Sequence, residues 1–101
     1  MEEIGPLRGV EGFENDPKFE DLTRFAIDEH NKKKDAALKL AKVVNVNQQE
    51  VVSGMMYYIM MEALDEKEGQ KYLYVGSVLE KSSDNSQEAQ SLVLLREVQV
   101  F

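Results

Sequence analysis

Several residue types that carry chemistry are missing from this chain or scarce in it. It has no cysteine, which excludes a disulfide staple, a thiolate metal site and a cysteine nucleophile. A single histidine, His30, leaves nothing on which to build a Ser-His relay or a histidine-rich metal centre. There is no tryptophan. Lys and Arg number 12 against 19 Asp and Glu, a net charge of −7. That balance argues against nucleic acid, because phosphate binding rests on concentrated positive charge. No apolar run is long enough to span a membrane, and the first residues show no signal-peptide core. No cofactor motif is present.

What remains is the composition of an ordinary folded protein, with 43% hydrophobic and 31% charged residues over 101 positions. That length suits one core, and we expect a single domain over residues 1–101. Met1 to Asn15 carries Gly5, Pro6, Gly9 and Gly12 with little periodicity, so it reads as an extended arm. Asp16-Pro17 is a helix start: Asp16 can cap free amides and Pro17 suits the first helical position. Leu22, Phe25, Ala26 and Glu29 then recur at helical spacing, predicting a helix over 16–34 that ends in the basic run Lys32-Lys33-Lys34.

From Leu38 the period changes to two. Leu38, Leu40, Val44 and Val46 are expected on one strand face, with Lys39, Val43 and Asn45 on the other. A second strand is predicted from about Val52 to Leu64. Its alternating Met and Tyr suit a strand partly covered on both faces better than a Met-rich ligand groove. The polar stretch Asp65 to Gln70 is a turn, with Gly69 available for positive φ. A third strand follows from Tyr72 to about Glu80 and a fourth from Leu92 to Phe101. Between them Ser82 to Ser91 holds no large apolar residue and reads as an exposed loop. One helix and strands joined by short turns predict an α+β fold, with the helix packed across a curved antiparallel sheet over 38–101.

The order Leu22-Thr23-Arg24-Phe25-Ala26-Ile27-Asp28-Glu29-His30-Asn31 is more specific than any amphipathic helix requires. It resembles the helix signature of plant cystatins, protein inhibitors of papain-like cysteine proteases. The likeness extends along the chain, through Val51-Val52-Ser53-Gly54, Tyr57-Tyr58 with Glu62-Ala63, Tyr72-Leu73-Tyr74, and Leu95-Arg96-Glu97-Val98. The resemblance implies a non-enzymatic inhibitor with a cystatin-like fold. It also implies a three-part wedge: a Gly-bearing N-terminal arm, a first hairpin tip, and a second hairpin that carries Pro-Trp in the family. Gly5 and Pro6 fall on the arm; Gln49, Glu50, Val51, Val52, Ser53 and Gly54 on the first hairpin; and Ser82 and Ser83 on the second. The implied partner is a papain-like cysteine protease.

All three contact points depart from the family pattern. Gly5-Pro6 stands where the family has Gly-Gly, and Pro6 stiffens the arm. Counted back from Gly54, Glu50 stands where the family has Gln; counted forward from the strand, Gln49 is in register and Glu50 is an inserted residue, which predicts a shifted register or a bulge, and either way a carboxylate at the tip. Ser82-Ser83 replaces Pro-Trp, and loss of an interface Trp typically costs ~2 kcal/mol, or about 30-fold in affinity. A second expectation follows, a cystatin scaffold with loops altered by divergence or engineering and weak or no protease inhibition. A monomer is expected, with domain exchange through a strained first hairpin as the route to a dimer.

Overall fold

The computed structural model describes residues 4–99. Its elements are β1 (Arg8–Gly9), a single 3-10 turn (Phe13–Asn15), α1 (Pro17–Lys34), β2 (Leu38–Val51), β3 (Gly54–Asp65), β4 (Gln70–Lys81) and β5 (Gln87–Glu97). The strands form one antiparallel sheet in the order β1-β2-β3-β4-β5. The helix lies across one face of it, giving the expected α+β, cystatin-like arrangement.

The helix begins where the Asp-Pro pair directs it. The Asp16 carboxylate accepts from the Lys18 amide at 3.0 Å, with Pro17 in the first turn. It ends at Asp35 in the left-handed conformation, φ 51°, and the Ala36 amide returns to the Asn31 carbonyl at 3.1 Å. Asn31 also clamps the start of β2. Its side chain donates to the Leu38 carbonyl at 2.9 Å and accepts from the Leu38 amide at 3.0 Å. Both ends of the helix-to-sheet connection are thereby fixed by one short polar side chain.

The core lies between α1 and the sheet. Phe19, Leu22, Ala26 and Ile27 from the helix meet Leu38, Val46, Tyr57, Ile59, Met61, Ala63, Tyr74 and Val78. Thr23, buried among them, donates its hydroxyl to the Phe19 carbonyl, so it leaves no unpaired polar atom. The phase of β3 explains its Met-Tyr alternation. Tyr57, Ile59, Met61 and Ala63 face the helix and are buried, while Met56, Tyr58 and Met60 on the opposite face are half-buried. No second layer covers that opposite face among the described residues. Met56 and Met60 are screened there by neighbours within the sheet, Leu79 and Val75 directly across on β4.

Three expectations need correction. Register shifts on β2 between Leu40 and Lys42, and between Val43 and Asn45, break its alternation. Val43, opposite the buried Met61, therefore packs against the core, and Val44 is the extra residue of a bulge. Glu50 makes no bulge: Gln49, Glu50 and Val51 pair in unbroken register with Met56, Met55 and Gly54. The irregularity lies lower on β2, leaving the tip a plain two-residue turn. Finally, the second half of the polar stretch before Leu92 is strand. β5 starts at Gln87, so the loop shrinks to Ser82–Ser86. An edge strand is held by backbone pairing on one side and needs few apolar residues, which is why composition alone misread it. The predicted end of that strand at Phe101 lies outside the described residues.

Candidate functional site

The arm, the first hairpin and the β4–β5 loop meet at one end of the sheet. β2 and β3 are joined by Val52 and Ser53 alone. Val52 stands at the turn with 59% of its surface exposed, a β-branched apolar side chain projecting into solvent. Neither turn residue has positive φ. The tip is held from below by Gly54, where a Cβ would lie 2.0 Å from the Glu80 carbonyl oxygen. Only a residue without a side chain lets β3 come that close to β4.

The arm is docked against the flank of this hairpin. The Gly5 amide donates to the Glu50 carbonyl at 2.9 Å, and the Gln49 side-chain amide donates to the Gly5 carbonyl at 3.1 Å. Tyr58 donates in turn to the Gln49 side-chain oxygen at 3.4 Å. Gln49 is thus a strut between arm and sheet, which spacing alone did not reveal. The Glu50 carboxylate is exposed one residue pair below Val51, beside the tip rather than on it. Pro6 follows Gly5 with its side chain in solvent.

On the other flank, the Ser82 amide donates to the Ser53 carbonyl at 2.9 Å, and the Ser82 hydroxyl reaches the same oxygen at 3.2 Å. Ser83 is exposed. The loop carries its own order: Lys81 donates to the Ser86 carbonyl at 2.8 Å, and the Asp84 carboxylate accepts from the Ser86 amide at 3.0 Å and hydroxyl at 2.6 Å. These bonds, the hydroxyl first, hold the Asp84 carboxyl below its ordinary pKa. Asn85 takes φ 58°, as a short polar residue can in a tight loop.

Behind the tip, Lys18 joins the helix to the sheet. Its ammonium donates to the Tyr57 hydroxyl at 3.0 Å and to Glu80 at 3.3 Å. The Tyr57 hydrogen bond is the larger cause of a raised Lys18 pKa. No group of His, Asp and Glu side chains suited to a metal ion occurs among the described residues. His30 lies away from the tip, its ring 6.3 Å from that of Tyr74.

A helix laid across a five-stranded antiparallel sheet, with three segments hydrogen-bonded together at one end, is the cystatin-like α+β arrangement. The chain matches the family described as "Aspartic acid proteinase inhibitor" over residues 14–95. It is 47% identical over 73 residues to "Cysteine proteinase inhibitor A" of Helianthus annuus, covering 72% of this chain and 85% of the relative. It is 51% identical over 81 residues to "Cysteine proteinase inhibitor 1" of Oryza sativa, covering 76% of this chain and 55% of that protein. "Multicystatin" of Solanum tuberosum is 41% identical over 83 residues, and there the match is 82% of this chain but 11% of the relative. The chain belongs to the plant cystatin family, and these relatives carry the names of cystatins or proteinase inhibitors and not of enzymes.

Proposed function

We propose that this protein is a reversible, cleft-blocking inhibitor of papain-like cysteine proteases. The observation that carries the reading is the bonded convergence of Gly5, the Val51–Gly54 turn and Ser82 at one edge, with Val52 exposed at its apex. A narrow two-residue turn enters a cleft more readily than a broad loop. Its ordering cost is already met in the free protein by the Gly5–Glu50 and Ser82–Ser53 bonds. Val52 would be buried on entry, and the flanking serines and glycines keep the backbone close to the enzyme without presenting a bond for cleavage. The second loop offers hydroxyls where an aromatic anchor would otherwise sit, so the affinity expected is about 30-fold below that of a wedge with a Trp.

The test is titration of active-site-calibrated papain with the folded protein, followed by mass analysis of the recovered inhibitor. Competitive, reversible inhibition by an uncut chain is expected. Val52→Asp should weaken it by about 30-fold or more, since it removes apolar burial and forces a charge into the cleft. Absence of inhibition at tens of micromolar would overturn the reading.

One observation favours a second reading, a cystatin scaffold whose altered loops serve another target. The matched family is described by aspartic rather than cysteine proteinases, and the match begins at residue 14, past Gly5 and Pro6. A parallel titration against pepsin separates the two. Inhibition of pepsin with papain untouched would make an aspartic proteinase the target and Ser82-Ser83 part of a redirected contact surface.

A further inference from the structure

We infer that β5 is a self-association edge, along which a second copy of this chain pairs antiparallel to extend the sheet. β5 closes the sheet on one side, and among the described residues nothing pairs with its outer edge. It is eleven residues long and almost wholly exposed; only Ala89 and Leu92 are half-buried. Consecutive apolar side chains lie on it in solvent: Val93 at 53%, Leu94 at 52% and Leu95 at 47% exposure. Native edges are ordinarily protected by proline, by shortness, by charge, or by bulges that twist the edge away. β5 has one bulged residue on each side of Leu92, Gln90 and Leu95, and Ser91–Leu94 between them pairs in unbroken register. Gln87–Glu97 contains no proline, and its charged residues, Glu88, Arg96 and Glu97, lie near its ends.

The placement of two of those charges identifies the occupant. Leu92 is the midpoint of Gln87–Glu97, and Glu88 and Arg96 stand four residues to either side of it. A two-fold axis at Leu92 therefore gives full overlap of the strands and sets Glu88 of each copy opposite Arg96 of the other. Glu88 already pairs with Lys81 of its own chain at 2.9 Å and accepts from Gln90 at 2.8 Å, so Arg96 of a second copy would join it as a second cation. The pair also meets on the correct face. Glu88 lies across from Leu79 and Arg96 across from Leu73, and those two residues oppose Met56 and Glu62 on one side of the unbroken β3–β4 ladder. The register shifts beside Ser77–Val78 and Leu73–Tyr74 keep both charges on that side. Cross-strand opposite charges favour the pairing, while a parallel or slipped copy loses one or both contacts. Val93 and Leu94 then gain neighbours from the second copy. An antiparallel partner carries its own Ser82–Ser86 loop at the far end of the shared edge, so both wedges stay open.

The test is sedimentation velocity of the intact protein over a concentration series reaching hundreds of micromolar, with circular dichroism as the check on folding. The wild-type mass should rise with concentration from 11.5 kDa toward twice that value. Glu88→Arg and Arg96→Glu should each weaken dimerisation by tenfold or more, and the double exchange should restore it, because the two-fold pairs are rebuilt with reversed sign. A monomer throughout the series overturns the proposal. So does a dimer indifferent to the single exchanges, the result expected of domain exchange through the first hairpin, and so does a double exchange that fails to recover.

Discussion

Gly54 shows how a single residue can be fixed by a contact that no sequence pattern displays. Its conformation is not the main constraint. A Cβ there would sit 2.0 Å from the Glu80 carbonyl oxygen and 3.0 Å from the Ser82 amide nitrogen, both backbone atoms that cannot rotate aside. Gly54→Ala should therefore push β3 from β4 at the tip and cost about 2–3 kcal/mol, in the range of overpacked sites. A denaturant midpoint that falls at unchanged slope measures this directly. The same displacement would tilt Ser53 away from Ser82, so inhibition should weaken along with stability. A shift under about 0.5 kcal/mol would mean that the hairpin absorbs the methyl group and that the close approach is incidental. At this scale the sequence was partly legible. Val51-Val52-Ser53-Gly54 was recognisable as a tip, but Gln49 as the strut to Gly5 was not, because that bond joins residues 44 positions apart.

Among the elements, α1 was the most legible and β5 the least, for opposite physical reasons. The helix announces itself through Asp16-Pro17 and an apolar stripe: of that stripe Leu22 and Ala26 lie in the core, Phe25 is half-buried against it, and Ile27, off the stripe, is buried as well. β2 was legible as a strand, but its bulges move Val43 into the core, and a bulge has no compositional mark in Lys42-Val43-Val44-Asn45. β5 is secured by backbone bonds to β4 rather than by burial, so its polar half resembled a loop. The contact between α1 and β4 also yields a pH dependence. His30 packs beside Tyr74, and burial first, then the Lys34 charge, depresses its pKa below 6.5. Glu29 and Lys33 line the adjoining groove toward β5. Between the depressed folded value and about 6.5, the unfolded chain binds more protons than the folded one, so stability rises with pH through that window and is lost on acidification. His30→Gln should flatten the slope of the thermal midpoint just below about pH 6.5. An unchanged slope would assign the dependence to carboxylates.

Across the whole molecule, stability and proposed function are held at separate places. The longest dimension is 46 Å, close to the ~45 Å that a strand of fourteen residues spans, so the sheet runs the length of the protein. The helix runs from beside Tyr57 and Glu80 to the start of β2 at Leu38, and the Val52–Ser53 turn lies beyond its first residues at one end. Leu22 is wholly buried under that helix, and Leu22→Ala should cost about 3–5 kcal/mol. A domain of this size has roughly 5–15 kcal/mol in total, so the variant should lose a large part of its margin. Yet none of the hydrogen bonds that hold the arm, the turn and the second loop together runs through it. Its inhibition constant against papain, measured well below its lowered midpoint and corrected for the folded fraction, should match wild type. Val52→Asp should behave in reverse, with a thermal midpoint near wild type and inhibition lost, because Val52 is solvated in the free protein. Sites this far apart with no shared partners are expected to add, so the double variant should show both losses without interaction beyond about 0.5 kcal/mol. A larger coupling would mean that the helix sets the geometry of the tip, with the Lys18 bonds to Tyr57 and Glu80 as the connection to examine.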